Sequence, residues 1–176
     1  MQQHQRYFPV FDDNDNLLPH FIVVSNNDTV AYEKQIVAGN ERVLRARFAD
    51  GAFYYQSDIA QPLVAYVKKL QNSTFHQDLG SVFQKVERLV LMGKGFASLL
   101  AKNDFSSFLK NYERSAYVCK ADLISGVVHE FPHLQGIMGY YYAIKSGEDE
   151  QVAMAIKEHY LPKSTNDTLP QSQAGL

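Results

Sequence analysis

The sequence predicts an α+β fold, mostly α, with a β-hairpin region at the N-terminus and helices after it. Three observations carry that expectation. Two aromatic and β-branched runs flank a turn-forming DDNDN near the start. Apolar residues then recur at spacings of three and four, the period of a helix packed on one side. Prolines fall where helices begin or stop. With 176 residues, 45% of them hydrophobic, the chain can bury a core of its own. The expected organisation is a hairpin plus helix segment over 1–60 and a helical domain over 61–176.

The first element is RYFPVF (6–11), paired across DDNDN with LLPHFIVVS (17–25). Asp and Asn tolerate left-handed backbone angles, which suits such a turn. Pro9 and Pro19 lack the N–H that an interior ladder needs, so both belong at strand ends or on an edge. Asp12, Asn14 and Asn16 have the alternate spacing of a calcium loop. That reading fails further on, where Leu17 replaces the turn glycine and Val23 the bidentate glutamate.

Helical periodicity begins at Thr29. GNERVLRARFADGAFYYQSDI (39–59) places Val43, Leu44, Phe48 and Ala52 near one stripe, with Arg42, Arg45 and Asp50 elsewhere. Pro62 at a first helical turn opens PLVAYVKKLQ. A longer helix is expected from about Leu79 to Ala101, with Val82, Phe83, Val86, Leu89 and Val90 at core spacing and Gly93 and Gly95 weakening its middle. Asp104 or Ser106 is placed to cap the next segment. Residues 112–130 read as one helix, with Tyr117, Ala121, Ile124 and Val128 recurring at three to four. Glu148, Asp149 and Glu150 suit the positive end of a last helix, which Pro162 stops. The tail 163–176 is polar, without a stripe, and reads as a linker or the edge of a larger protein.

Composition narrows the function classes. A net charge of −2 supplies no global positive field, so nucleic-acid binding must come from a local patch. The single Cys119 cannot form an internal disulfide, which fits a reducing cytosol. No signal peptide and no apolar run of the ~20 residues that span a bilayer is visible. The sequons at Asn27, Asn72 and Asn166 then read as chance matches.

The segment KADLISGVVHEFPHLQGIMGYYYA (120–143) concentrates polar groups among apolar ones. Were it helical, Asp122 and His129 would lie within about 20° around the axis, with Cys119 a turn before. A Cys/Asp/His column suits a transition metal, and Asp with His an acid/base pair. Seven residues, however, is roughly 10 Å along the axis, too far for one metal to bridge easily. The alternative is a partly solvated seam between helices. Pro132 forces Phe131 toward extended backbone, ends the first helix and starts a second, with His133 near the surface. Gly136 and Gly139 offer a face without side chains, open to close approach by another backbone. GIMG lacks the context of a phosphate loop. Of Tyr140, Tyr141 and Tyr142, one or two should pack while the third reaches solvent or a partner. Arg42 and Arg45 share a helix face that suits phosphates, with Arg47 elsewhere; salt bridges to Glu41 and Asp50 are the alternative. No Ser-His-Asp motif, P-loop, CxxC pair or HExxH is present.

MQQHQRYFPVFDDNDNLLPHFIVVSN, GNERVLRARFADGAFYY, FHQDLGSVFQKVERL, KADLISGVVHEFPHLQGIMGYYYA and EHYLP occur in the order found in one family. From Met1 to about Leu169 the chain resembles the beta subunit of the bacterial-type, two-subunit glycyl-tRNA synthetase. The resemblance implies an internal piece of a longer subunit, with 61–176 a helical HD-like domain incomplete at its C-terminus. It implies a cytoplasmic protein with the alpha subunit, the rest of the beta subunit and tRNA(Gly) as partners. Glycine activation with ATP and magnesium would belong to the alpha subunit, with no cofactor bound by this chain. Working HD phosphohydrolases hold metal with a first His, a His-Asp pair and a later Asp. Here Lys85 stands where the first His would be and Ala121-Asp122 where the pair would be, so the hydrolase site is expected to be dismantled. His4, Gln5, Arg6, Asn40, Arg42, Arg45 and Arg47, inside two matching motifs, are the candidates for contacts to tRNA or neighbouring domains. An HD-type metal-dependent phosphohydrolase and a structural interface module docking through Gly136 and Gly139 are the alternatives.

Overall fold

A computed structural model of the protein describes residues 6–26, 30–100, 105–172 and 174–175, with side chains left aside at Val30 and 96–100. His4, Gln5, Asn27, Thr29, Ala101 and Asp104 lie outside the described residues. The fold is α+β and mostly α. The chain divides into two compact units, Met1–Arg47 and Phe48–Leu176.

In the first unit, β1 (Tyr7–Phe11) pairs antiparallel with β2 (Leu17–Val23), in the register Tyr7↔Val23 to Phe11↔Leu17. The turn closes as its composition requires. Asp12 Oδ1 accepts from the amides of Asn14 (2.9 Å) and Asn16 (2.8 Å), while Asp12 Oδ2 accepts from Asn16 Nδ2 at 3.1 Å. These bonds hold the Asp12 carboxyl below its usual range, and they use the oxygens that a calcium loop would turn on its ion. Asp15 takes a left-handed φ of 59°. A two-stranded sheet has only edges, which is why Pro9 and Pro19 are tolerated inside the strands. Tyr7 stacks edge-on against Phe21, and its hydroxyl donates to Asn40 Oδ1 at 2.9 Å.

Asn40 lies on α1 (Glu33–Asp58). The stripe expected there is no core face. Val43 and Phe48 are exposed, Leu44 is half-buried and Ala52 is exposed, as are Val37 and Phe53. Periodicity reports that apolar residues share a side; it does not say what, if anything, covers that side.

The second unit is helical. After α1 come α2 (Val64–Val67), a 3-10 turn over Lys68–Asn72, and a small hairpin of β3 (Thr74–His76) and β4 (Gly80–Ser81) that periodicity missed. Then follow α3 (Val82–Leu100), α4 (Phe105–Val118), α5 (Gly126–Glu130), α6 (Ile137–Lys145) and α7 (Glu150–Glu158). Leu63, Val67, Leu70, Val86, Val118 and Ile156 form the centre of the core, each at most 1% exposed. α3 runs unbroken through Gly93, where the Tyr112 ring occupies the space a side chain would need and donates its hydroxyl to Leu89 O at 2.9 Å. Asp149 caps α7 by accepting from Gln151 N at 2.8 Å, and Glu148 pairs with Arg114, whose Nε donates to Glu148 Oε2 at 2.8 Å. The tail is no free linker: Glu158 Oε2 accepts from the amides of Gln171 (3.2 Å) and Ser172 (2.7 Å).

The helix expected over 112–130 is three pieces. α4 ends at Val118, a 3-10 turn spans Ala121–Ile124, and α5 restarts at Gly126. Ser125 is the joint, with φ −74° and ψ 150°; its hydroxyl donates to Asp122 O (2.7 Å) and accepts from Val128 N (3.3 Å). Asp58 reaches in from the end of α1, accepting from Gly126 N at 2.8 Å and Val127 N at 3.0 Å. The side-chain cap satisfies amides that a continuous helix would have bonded to its own backbone, so the break is favoured. Pro132 likewise opens only the 3-10 turn Pro132–Leu134, and the next α-helix waits for Gly136, at φ 79°, to turn the chain.

Candidate functional site

The break at 119–125 decides the chemistry of this region. Cys119, Asp122 and His129 form no column, since His129 sits exposed on α5 while Asp122 turns inward. Asp122 is fully buried, and its Oδ2 accepts from Gly136 N at 2.6 Å and Gly139 N at 3.2 Å. Its Oδ1 is buried and takes no hydrogen bond from the described residues. Burial pushes the carboxyl up to about 6, against the two amide bonds and the nearby Lys120.

The glycines expected to offer an open face are therefore covered from within the chain. A Cβ on Gly139 would lie 2.6 Å from Ile156 Cγ2 and 3.1 Å from Asp122 Oδ2. On Gly136 it would lie 2.7 Å from the Tyr160 ring. The close approach is real, but the approaching groups are side chains of this same unit. The tyrosines divide as expected: Tyr142 is buried, Tyr140 half-buried and Tyr141 exposed.

Beside Asp122 lies a cluster that the sequence did not single out. Lys120 Nζ donates to His159 Nε2 at 2.7 Å and sits 3.7 Å from the centre of the Tyr160 ring. His159 Nδ1 donates to Ile156 O at 2.6 Å, which fixes the neutral tautomer with its lone pair toward Lys120. Burial lowers Lys120 to about 8, with Lys85 adding repulsion. Burial and then Lys120 lower His159 to about 4, and burial raises the Cys119 thiol to about 11. The Tyr160 hydroxyl, raised by burial, takes no hydrogen bond from the described residues. EHYLP was visible as a motif, but nothing in it announces a bond to Lys120, 39 residues earlier.

A second buried brace also escaped the sequence. Tyr142 donates its hydroxyl to Asp58 Oδ2 at 2.6 Å, and the Tyr66 hydroxyl donates to Asp58 O at 3.0 Å. Asp58 so ties α1, α2, α5 and α6 together.

These residues do not suit an HD metal centre. Among the described residues no three His, Cys, Asp or Glu side chains come together in a way that would hold an ion. Lys85 packs its ammonium 3.9 Å from the Phe75 ring and repels Lys120 and His159. Ala121 offers no donor, and the Asp122 Oδ2 lone pairs face two amides. Lys85 and Ala121 supply no ligand atom and the Lys120 charge stands near Asp122, which disfavours a cation.

The tRNA candidates lie apart from this cluster in the sequence and fall in the first unit. Arg42 and Arg45, three apart on α1, are both exposed; Arg47 is partly buried. Arg6 is exposed at a left-handed φ of 57°. Asn40 is committed internally, its Nδ2 donating to Ile36 O at 2.8 Å while its Oδ1 serves Tyr7. Among the described residues no helix is long and apolar enough to cross a membrane.

Compared with known proteins, the chain matches over residues 1–176 the family model described as "Glycyl-tRNA synthetase beta subunit". A protein of Acaryochloris marina described as "Glycine--tRNA ligase beta subunit" is 51% identical over 176 residues, covering 99% of this chain and 24% of its own length. Proteins of the same description from Desulfitobacterium hafniense and Bacillus subtilis are 48% and 46% identical over 175 residues, each covering 99% of this chain and 25% of its own length. The chain spans about a quarter of the length of the curated relatives it matches.

Proposed function

The chain belongs to the glycyl-tRNA synthetase beta-subunit family, and from that membership we propose that it is a non-catalytic part of a glycine–tRNA ligase that contacts tRNA and builds subunit architecture. In this reading glycine is activated with ATP and magnesium on a separate alpha subunit, in the cytoplasm, and this chain holds no cofactor. Its partners are the alpha subunit, the remainder of the beta subunit and tRNA(Gly).

The observation that carries the tRNA contact is the exposed pair Arg42 and Arg45 on one side of α1. Guanidinium groups so placed can each bond a phosphate through two donors. Arg6 extends the candidate set, as do the neighbouring His4 and Gln5. Asn40 contributes by holding Tyr7 against the helix, since its own amide is already used.

The test is filter binding of tRNA(Gly) to the full-length beta subunit assembled with the alpha subunit, across a salt series. Arg42→Ala with Arg45→Ala should weaken binding and lower the slope of log K against log salt by about 2, one per lost phosphate contact. Unchanged affinity and slope would remove these residues from the interface.

A further inference from the structure

Lys120, His159 and Tyr160 form a partly buried arrangement for which membership in a tRNA ligase family supplies no role. We propose that Lys120 is a site of covalent acylation by small acyl phosphates, because its amine is held 2.7 Å from the lone pair of His159 and Lys85 supplies positive potential for an anionic leaving group.

The geometry holds an attacking group, a hydrogen-bond acceptor within reach of it, and a third group that orients the acceptor. Here these are Lys120 Nζ, His159 Nε2 and the carbonyl of Ile156, which takes the Nδ1 proton at 2.6 Å. Burial and Lys85 favour the neutral amine, bringing it to about 8, while Cys119 and Asp122 oppose them. The Tyr160 ring face, 3.7 Å away, also favours the ammonium and fixes its position. An amine near 8 is about a quarter deprotonated at pH 7.5, whereas an ordinary lysine is about 0.1% deprotonated. Lys120 is neither fully buried nor fully exposed.

In the step itself the Lys120 lone pair attacks the carbonyl carbon of the acyl phosphate. A C–N bond forms, the C–O bond to phosphate breaks, and its electron pair leaves with the phosphate. The proton released from nitrogen ends on the departing phosphate, which leaves as hydrogen phosphate, while His159 Nε2 aims the amine through its hydrogen bond. No electron changes hands, and no further reactant is needed.

The probe is acetyl phosphate, incubated with the full chain at pH 7.5 and followed by mass spectrometry of its peptides. Lys120 should acetylate about tenfold faster than the exposed Lys68 and Lys163, partial burial taking back much of the gain in free amine. Its rate should level off above pH 8 to 9. His159→Gln should slow Lys120 at least threefold and leave Lys68 unchanged. Equal rates at Lys120 and Lys68, or a Lys120 profile still climbing past pH 10, overturn the proposal. The rate comparison in the unaltered chain decides the matter even if His159→Gln fails to fold.

Discussion

Replacing Asp122 tests whether its buried carboxylate is a structural acceptor or a group kept for its charge. In the folded chain the carboxyl is raised from the usual 3.8 to about 6, chiefly by burial. The folded state therefore binds this proton more tightly than the unfolded chain does. Stability contributed here is greatest below pH 4 and is lost as pH rises through 6, the reverse of a salt-bridged aspartate. At about 1.4 kcal/mol per pH unit, raising the pH from 4.5 to 7 costs about 2 kcal/mol at this one residue. Asp122→Asn keeps an oxygen for the amides of Gly136 and Gly139 and has no charge to bury. Asp122→Ala leaves both amides without an acceptor, at about 1–3 kcal/mol each. Melting curves of the three proteins from pH 4.5 to 7 make the comparison. The gap between the natural chain and Asp122→Asn should move by about 2 kcal/mol toward the variant over that range, about 4–8 °C in Tm for a chain of this size. Asp122→Ala should be the least stable at pH 7. The reasoning is refuted by a gap that does not move with pH, or by an asparagine variant as damaged as the alanine one.

Two further substitutions probe the packing. Gly139→Ala should lower Tm by about 3–6 °C in calorimetry, because the clash with Ile156 and Asp122 costs about 1–3 kcal/mol and outweighs the gain in helix propensity. Asp58→Ala should cost about 3 kcal/mol in urea unfolding and Tyr142→Phe about 1–1.5 kcal/mol, with the double variant less harmful than their sum, since both remove the same bond.

What the sequence made legible was local. The hairpin, its Asp/Asn turn, the acidic start of the last helix and the division of the three tyrosines between packing and solvent each follow from residues within a few positions of one another. The helix expected over 112–130 failed because its breaker, Asp58, stands 68 residues before the amide it takes. No window over 112–130 contains that information. Lys85, Ala121 and Asp122 were nameable from motif order, whereas the cluster beside Asp122 depends on Lys120 meeting His159. α1 failed differently: its stripe exists, but burial depends on what packs there, and spacing cannot report that.

The five residues of α5 are too few to hold together on their own, since a helix must first offset the cost of its nucleus. Its first amides are satisfied by Asp58, which becomes available only when a long loop has closed. Order in α5 therefore comes late in folding, after the helices around it have met. In kinetic terms, Asp58→Ala should leave the refolding rate almost untouched and express its cost as faster unfolding. One carboxylate placed far back in the chain would then govern how long the folded state lasts, and hardly at all how quickly it is reached.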